Sequence, residues 1–216
     1  MRQTWRRLTF LHWPFAPDPI RRLIPPGLTL DTFDNVAWIG LVPFEIFDTP
    51  GISHFPETNL RTYVIGPDGS PAVWFFSLEA ARLAAVAGAR IGYHLPYFWA
   101  KMSVTSQHGV IHYHSRRHWP HDSRAMTGIA VQPAEPFAPS ELSARDHFLT
   151  ARYRLYTSAL GRLRYAQIEH QPWPLRRARV IDLHQTLFEN VHLPSPNGEP
   201  IAHYADELAV KIGWLI

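Results

Sequence analysis

Apolar runs and alternating segments dominate the chain, and they predict strands more often than helices. VAWIGLVPFEIF (36–47) is apolar at nearly every position, as expected for a strand that is covered on both faces. Pro43 has no amide hydrogen, so we expect an edge or a bulge at that point of the strand. ETNLRTYVIG (57–66) and AVWFFSL (72–78) flank a PDG turn and predict a hairpin.

Helices are predicted at only a few short segments. DPIRRLIP is the first, with Asp18 as its cap; an Ala-rich helix from about 78 to 89 is capped by Ser77, and another begins at Ser140. Further strands are predicted at PYFWAKMSVTS, VIHYHSRR, RAMTGIAVQ, RYRLYTSAL, RLRYAQIEHQ and HYADELAVKIGWLI. This pattern predicts an α+β fold in one domain over residues 1–216: a large curved antiparallel β-sheet, cone or barrel, with a few peripheral helices.

Composition narrows the function classes. With 216 residues and 46% hydrophobic content, the chain is long enough for a full core. Its net charge of +3 is scattered in short pairs, which does not favour nucleic-acid binding. The absence of cysteine excludes disulfides and thiol catalysis. No stretch approaches the roughly 20 apolar residues of a membrane helix, so we expect a cytoplasmic protein without a membrane partner. The edges of the predicted sheet make a homodimer reasonable.

The strongest local signal is a polar row on one predicted strand. Because successive side chains of a strand alternate between faces, Glu57, Asn59, Arg61 and Tyr63 share one face. The row has two interpretations: a solvent-facing strand with a weak Glu–Arg pair, or a polar stripe that lines the hollow of the sheet. In the second, Arg61 offers its planar guanidinium to a carboxylate ligand.

Three other residues carry candidate chemistry with an ordinary alternative beside it. Glu79 and Arg90 lie near the two ends of the predicted Ala-rich helix, where each charge interacts favourably with the helix dipole. Lys101 is one of two lysines and follows Tyr97 and Trp99 on one strand face. An amine that loses solvation beside aromatic rings can act as a Schiff-base nucleophile, whereas an ordinary lysine lays its stem on the rings and keeps its ammonium in water.

Five histidines cluster between residues 108 and 121. His112 and His114 share a strand face, which is a usable metal spacing; the others are His108, His118 and His121. No carboxylate or cysteine completes a recognisable signature, and two adjacent arginines oppose a cation. We therefore expect a solvated hairpin, with no metal and no cofactor.

Taken together, these motifs resemble the YqjF-like family of uncharacterised bacterial proteins, which belongs to the acetoacetate decarboxylase-like superfamily. The resemblance runs over nearly the whole chain and rests on FLHWPF, IPPGLTLDTFDNVAWIGLVPF, FPETNLRTYV, WFFSLEA, LPYFWAKMSV, FLTARYRLY and HQPWPL. It implies a large antiparallel sheet curled into a cone or barrel with a pocket inside.

The resemblance also implies a set of site residues and two departures. An arginine near the N-terminus of the decarboxylase is replaced here by the stretch that begins with His12. Glu57 and Glu79 occupy positions that match acids around the decarboxylase's catalytic lysine. The decarboxylase's paired lysines follow a proline that resembles Pro96, but Tyr97 follows it here. Lys101 lies a few positions further on, on the strand face opposite that of the residue after Tyr97. This lysine is therefore expected to be structural.

These observations leave three hypotheses open. The first is a pocket that binds a small anionic or carbonyl metabolite, with acid/base chemistry if the protein is an enzyme. The second is a non-catalytic ligand-sensing or interaction domain, and the third is a Schiff-base decarboxylase or aldolase acting through Lys101. The candidate acids or bases are Glu57 and Glu79, and the candidate ligand-binding residues are His12, Asn59, Arg61, Tyr63, Trp74, Arg90 and Tyr97.

Overall fold

A computed structural model describes residues 1–119 and 124–216, and strands make up most of its regular structure. The strands are β1 (Arg2–Phe15), β2 (Thr29–Leu30), β3 (Ala37–Phe47), β4 (Phe55–Ile65), β5 (Pro71–Ala80), β6 (Tyr97–Gln107), β7 (Val110–Trp119), β8 (Met126–Pro136), β9 (Arg154–Ala159), β10 (Arg162–His170), β11 (Arg176–Gln185) and β12 (Ile201–Ile212). The α-helices are α1 (Pro17–Arg21), α2 (Leu83–Gly92), α3 (Ala144–Thr150) and α4 (Leu187–Asn190). In the part of the chain that the structure describes, no helix has the length and apolar character needed to cross a bilayer.

The strands form one sheet that turns back on itself. Its order is β10-β9-β5-β6-β7-β8-β11-β12-β1-β3-β4-β2, with additional pairings of β5 with β4 and of β10 with β12. The first additional pairing closes a long ring that includes β6, β7, β8 and β11. The second closes a shorter ring that includes β9 and β10. The two rings share the strands β12, β1, β3, β4 and β5 as a common wall.

The common wall is buried on both faces because a hydrophobic core lies on each side of it. In β1, Leu8 and Phe10 belong to the first core, together with residues of β9 and β10. Leu11 and Trp13 belong to the second core, together with residues of β7 and β8. This arrangement explains why residues 37–46 of β3 are all buried.

Several predictions are confirmed. The curved sheet, the strand over 36–47 and the hairpin of β4 and β5 are all present. Pro43 pairs with Thr58 and lies opposite an irregularity of β1, where Arg7 has a positive φ of 49°. The bulge expected at Pro43 is thus in its partner strand. The sheet is not purely antiparallel, since β5 pairs in parallel with both β6 and β9.

The predicted helix caps were wrong. β5 continues to Ala80, because Leu78 pairs with Asn59 on one side and with β6 on the other, so α2 begins only at Leu83. Ser77 therefore lies inside a strand and caps nothing. Ser143, not Ser140, accepts the capping hydrogen bond of α3. The N-cap position of α1 is Ala16, and Asp18 lies in its first turn.

Candidate functional site

A cavity of about 260 Å³ lies among the residues of the first core. Its walls are mostly apolar, with aromatic and aliphatic side chains from β1, β3, β5 and β9. Polar side chains are few: Gln3, Thr49, Glu57, Asn59, Arg61, Tyr93, Tyr97, Thr150, Arg152 and His170. A mainly apolar hollow with a few converging polar groups is typical of a small-molecule site.

β4 brings three of the predicted residues together on one wall of this cavity. Glu57, Asn59 and Arg61 alternate with residues that face the second core, and their exposed fractions are only 3%, 3% and 8%. At the usual rise of a strand, about 13 Å separates the Cα atoms at the two ends of this row. The solvent-facing interpretation of the row is therefore wrong.

A bulge in β5 shapes the wall beside this row. Leu60 pairs with Ser77 and Arg61 pairs with Phe75, so that Phe76 is an extra residue in β5. Because of this insertion, Phe75 and the later Leu78 both line the cavity although they are an odd number of positions apart. Ser77 faces away from the cavity.

The guanidinium of Arg61 is a buried cation that lacks a counter-ion. Within residues 1–119 and 124–216, no carboxylate lies within ion-pair distance of it. Its Nη2 donates a long hydrogen bond of 3.4 Å to the carbonyl of Leu149, and its Nε has no partner. Its Cζ lies 5.4 Å from the centre of the Phe10 ring. Since burying a charge without a partner is costly, this group is suited to an anion.

Glu57 occupies the other end of the row and is not paired with Arg61. Its Oε2 accepts a hydrogen bond of 2.7 Å from the hydroxyl of Tyr97. Burial raises the pKa of Glu57 to about 8, and the Tyr97 hydrogen bond opposes this rise. At neutral pH the carboxyl is mostly protonated and can therefore donate a proton.

Tyr63 and His12 lie behind Arg61, fully buried and outside the cavity lining. The Tyr63 hydroxyl donates to the carbonyl of Leu149 at 2.6 Å and also contacts His12 Nε2 at 2.6 Å. Because a hydroxyl has one hydrogen, His12 must donate from Nε2, which leaves its Nδ1 without a partner. Burial first, and then the charge of Arg61, lowers the pKa of His12 well below its ordinary value.

The structure places the other candidate residues elsewhere. Glu79 lies in β5, not in a helix, and faces away from the cavity to form a buried ion pair with Arg117, whose Nε donates to it at 3.1 Å. Trp74 is half-buried in a small third cluster. Arg90 is exposed in the last turn of α2, as the dipole interpretation expects. Lys101 is exposed on β6 and does not line the cavity.

Two residues of the lining were not among the candidates chosen from the sequence. Arg152 is buried beside the row, donates from Nη1 to Asp31 Oδ2 at 2.7 Å, and is thereby neutralised. Trp173 covers the same region and donates from Nε1 to the carbonyl of Thr150 at 3.1 Å. Both residues lie in motifs on which the family resemblance rests, RYRLY and HQPWPL. No local sequence pattern, however, indicates that these motifs lie beside β4 in the fold.

The histidine hairpin consists of β6 and β7, two neighbouring strands of the long ring. His114 is exposed and His112 half-buried. Among the residues that the structure describes, no group of three metal-ligating side chains forms. His121 lies outside the described residues.

Comparison with known proteins shows which family the chain belongs to. The chain belongs to the DUF2071 family, described as an uncharacterised conserved protein, whose model matches residues 2–209. The uncharacterised protein YqjF of Bacillus subtilis (strain 168) is 39% identical over 213 residues, covering 95% of this chain and 87% of that protein. The resemblance to the YqjF-like family is confirmed.

Two solved structures with a similar fold are an acetoacetate decarboxylase and a biosynthetic enzyme. Acetoacetate decarboxylase from Legionella pneumophila superposes with a TM-score of 0.70 at 13% identity, covering 100% of this chain and 86% of that chain. The enduracididine biosynthesis enzyme MppR, complexed with pyruvate, superposes with a TM-score of 0.68 at 12% identity, covering 100% and 89%. At such identities the likeness shows the fold alone, which is the acetoacetate decarboxylase-like fold.

Proposed function

We propose that the cavity of this DUF2071 protein binds a small carboxylate or carbonyl metabolite, with Arg61 as the anchor of its negative charge. The observation that carries the proposal is the buried guanidinium, which has no carboxylate partner among the residues that the structure describes. A bound carboxylate would accept two parallel hydrogen bonds from such a group and balance its charge. The Oδ1 of Asn59, on the same face of the strand, has no partner among the described residues and would accept a hydrogen bond from a ligand and so orient it.

Acid/base chemistry at Glu57 is part of the proposal. A general acid works best when its pKa lies near the operating pH, and burial brings the pKa of Glu57 to about 8. Tyr97, which donates to the same carboxyl, holds it in one orientation. The protein would then transfer a proton to a bound carbonyl or enolate oxygen without a covalent intermediate.

A non-catalytic ligand sensor is the second candidate, favoured by the location of the lysines. The chain has two lysines, Lys101 and Lys211, and both are exposed and outside the cavity lining. Schiff-base chemistry therefore finds no lysine amine in this cavity. Product formation from bound keto acids, compared between the wild type and Glu57→Gln, separates an enzyme from a sensor.

Thermal-shift titration with a panel of keto, hydroxy and simple carboxylic acids tests the proposal. A ligand at a hundred times its Kd stabilises the fold by about 2.7 kcal/mol, which raises the Tm of a chain of this size by about 5–10 °C. Arg61→Met should abolish the shift, whereas Arg116→Met, a matched change at an exposed arginine of β7, should retain it. Equal shifts in both variants would contradict the proposed anchor.

A further inference from the structure

We infer that the ligand is an amphipathic monocarboxylate: one anionic head at Arg61 and an apolar body of about seven carbon atoms that extends towards α2. This inference rests on the proposed function and narrows its ligand to a chemical class. Four features support it: the walls of the cavity, its volume, its charge and the register of the surrounding sheet.

The walls of the cavity suit a hydrocarbon body better than a small hydrophilic acid. Beyond Arg61, the lining includes Phe10, Val42, Phe75 and Leu78, each almost fully buried. Phe10 packs edge-on against Trp173, with ring centres 5.5 Å apart. A ligand of a few polar atoms would leave these surfaces in contact with water, whereas an apolar body covers them.

The volume sets the length of that body. A cavity of 150 Å³ lined by aliphatic and aromatic side chains holds benzene, so a cavity of about 260 Å³ accommodates roughly ten non-hydrogen atoms at the same density. A carboxylate uses three of them. About seven remain for the body, as in octanoate or a short aryl-substituted acid.

The arginines of the cavity favour a single anionic group. Arg152 also lines the cavity, but its charge is already balanced by Asp31 at 2.7 Å. At the far end of the row, the Glu57 carboxyl accepts the Tyr97 hydroxyl hydrogen and would repel a second carboxylate if ionised. A dicarboxylate therefore gains one ion pair at Arg61 and loses hydration at its other end.

The register of the sheet gives the direction of the body. Along β5, Phe75 lies opposite Arg61, Leu78 opposite Asn59 and Ala80 opposite Glu57, and the chain then enters α2. This helix contributes only small residues to the lining, Ala84, Ala85, Gly88 and Ala89. A body anchored at Arg61 thus extends along the apolar side chains of β5 towards a wall that leaves room for it.

A homologous series of straight-chain acids tests the inference, because each added CH₂ changes only the apolar body. Calorimetric titration of the wild type with acetate, butanoate, hexanoate, octanoate and dodecanoate should show about fourfold tighter binding per CH₂ up to octanoate. Dodecanoate should bind no more tightly than octanoate. Octanamide and octanedioate should each bind at least tenfold more weakly than octanoate.

A pair of glycine variants tests the position of the body. Gly88→Leu adds a side chain at the cavity wall, and Gly92→Leu makes the same change in the same helix outside the lining; an added Cβ meets no atom within 4 Å at either site. Octanoate should bind Gly88→Leu at least tenfold more weakly than the wild type, and Gly92→Leu within twofold. Butanoate should bind all three proteins alike.

Different outcomes refute different claims. Binding of acetate and octanoate with equal affinity would overturn the amphipathic ligand while leaving the proposed carboxylate site intact. Octanamide binding as tightly as octanoate would also overturn the inference, since the body alone would then account for affinity. If no acid in the series, and none in the keto-acid panel, binds the wild type, the proposed function itself fails.

Discussion

Replacing Glu57 by glutamine should change how the stability of the protein depends on pH. The glutamine side chain has the shape of the protonated carboxyl and keeps an oxygen that accepts the Tyr97 hydrogen bond, but it cannot ionise. The wild-type carboxyl has a pKa of about 8 in the folded protein, against 4.5 as its ordinary value. The variant should therefore remove the free-energy difference that links this ionisation to folding.

The sign follows from proton binding. Between pH 4.5 and about pH 8 the folded state holds a proton on Glu57 that the unfolded state has lost, so raising the pH favours unfolding. The stability that this group contributes is complete below pH 4.5, declines across this window and is lost above about pH 8. With 1.36 kcal/mol for each pKa unit, the full change is about 5 kcal/mol.

Urea unfolding of both proteins from pH 4.5 to 9, followed by tryptophan fluorescence, measures this effect. The free energy of unfolding of Glu57→Gln, minus that of the wild type, should rise by about 5 kcal/mol across the window. Taking the difference cancels the other groups that titrate there. Glu135→Gln, at an exposed position of β8, is the control and should give a flat difference. A flat difference for Glu57→Gln would refute a buried, protonated carboxyl.

Three further predictions concern residues outside the cavity lining. Arg117→Met should lower the urea-unfolding free energy by about 3–5 kcal/mol, because it leaves the Glu79 carboxylate buried without its partner. Adding Glu79→Gln to this variant should recover part of the loss. The absence of any recovery would contradict the ion-pair explanation. His12→Gln should destabilise the protein by about 1–3 kcal/mol at pH 7.5, through its contact with Tyr63. Because burial lowers the pKa of His12, its neutral form favours folding above pH 6.5, and this contribution is lost as the pH falls. The deficit of the variant in unfolding free energy should therefore shrink below pH 6.5. A constant deficit would argue against a buried neutral ring. Lys101→Met should leave the unfolding free energy within about 0.5 kcal/mol of the wild type. Octanoate binding, measured by calorimetry, should also be unchanged. Loss of binding would show that this lysine belongs to the binding site.

Local patterns in the sequence predicted the wall that carries the site. The continuous apolar run of β3 follows from burial on two faces, and strand periodicity alone places Glu57, Asn59 and Arg61 on one side of β4. Both faces of this wall are buried, and which of them borders the cavity does not follow from periodicity. That depends on the pairing of β10 with β12, which joins segments far apart in the chain.

The errors arise where distant strands decide the local structure. Residues 78–92 have an alanine-rich composition that favours a helix, yet pairing with β4 and β6 keeps the strand extended to Ala80. As a result, Glu79 faces away from the cavity, and its position could not be obtained from helix spacing. Arg152 lies 91 positions after Arg61, just beyond α3, and no local pattern connects the two.

A crystal structure of the protein with octanoate is the most direct test of the central claim that the guanidinium of Arg61 binds a carboxylate. We predict carboxylate oxygens 2.7–2.9 Å from the guanidinium nitrogens, the usual range for charge-assisted bonds, with the chain against Phe10 and Phe75. A guanidinium paired with a carboxylate of the protein itself, or octanoate bound only on the outer surface, would contradict the account.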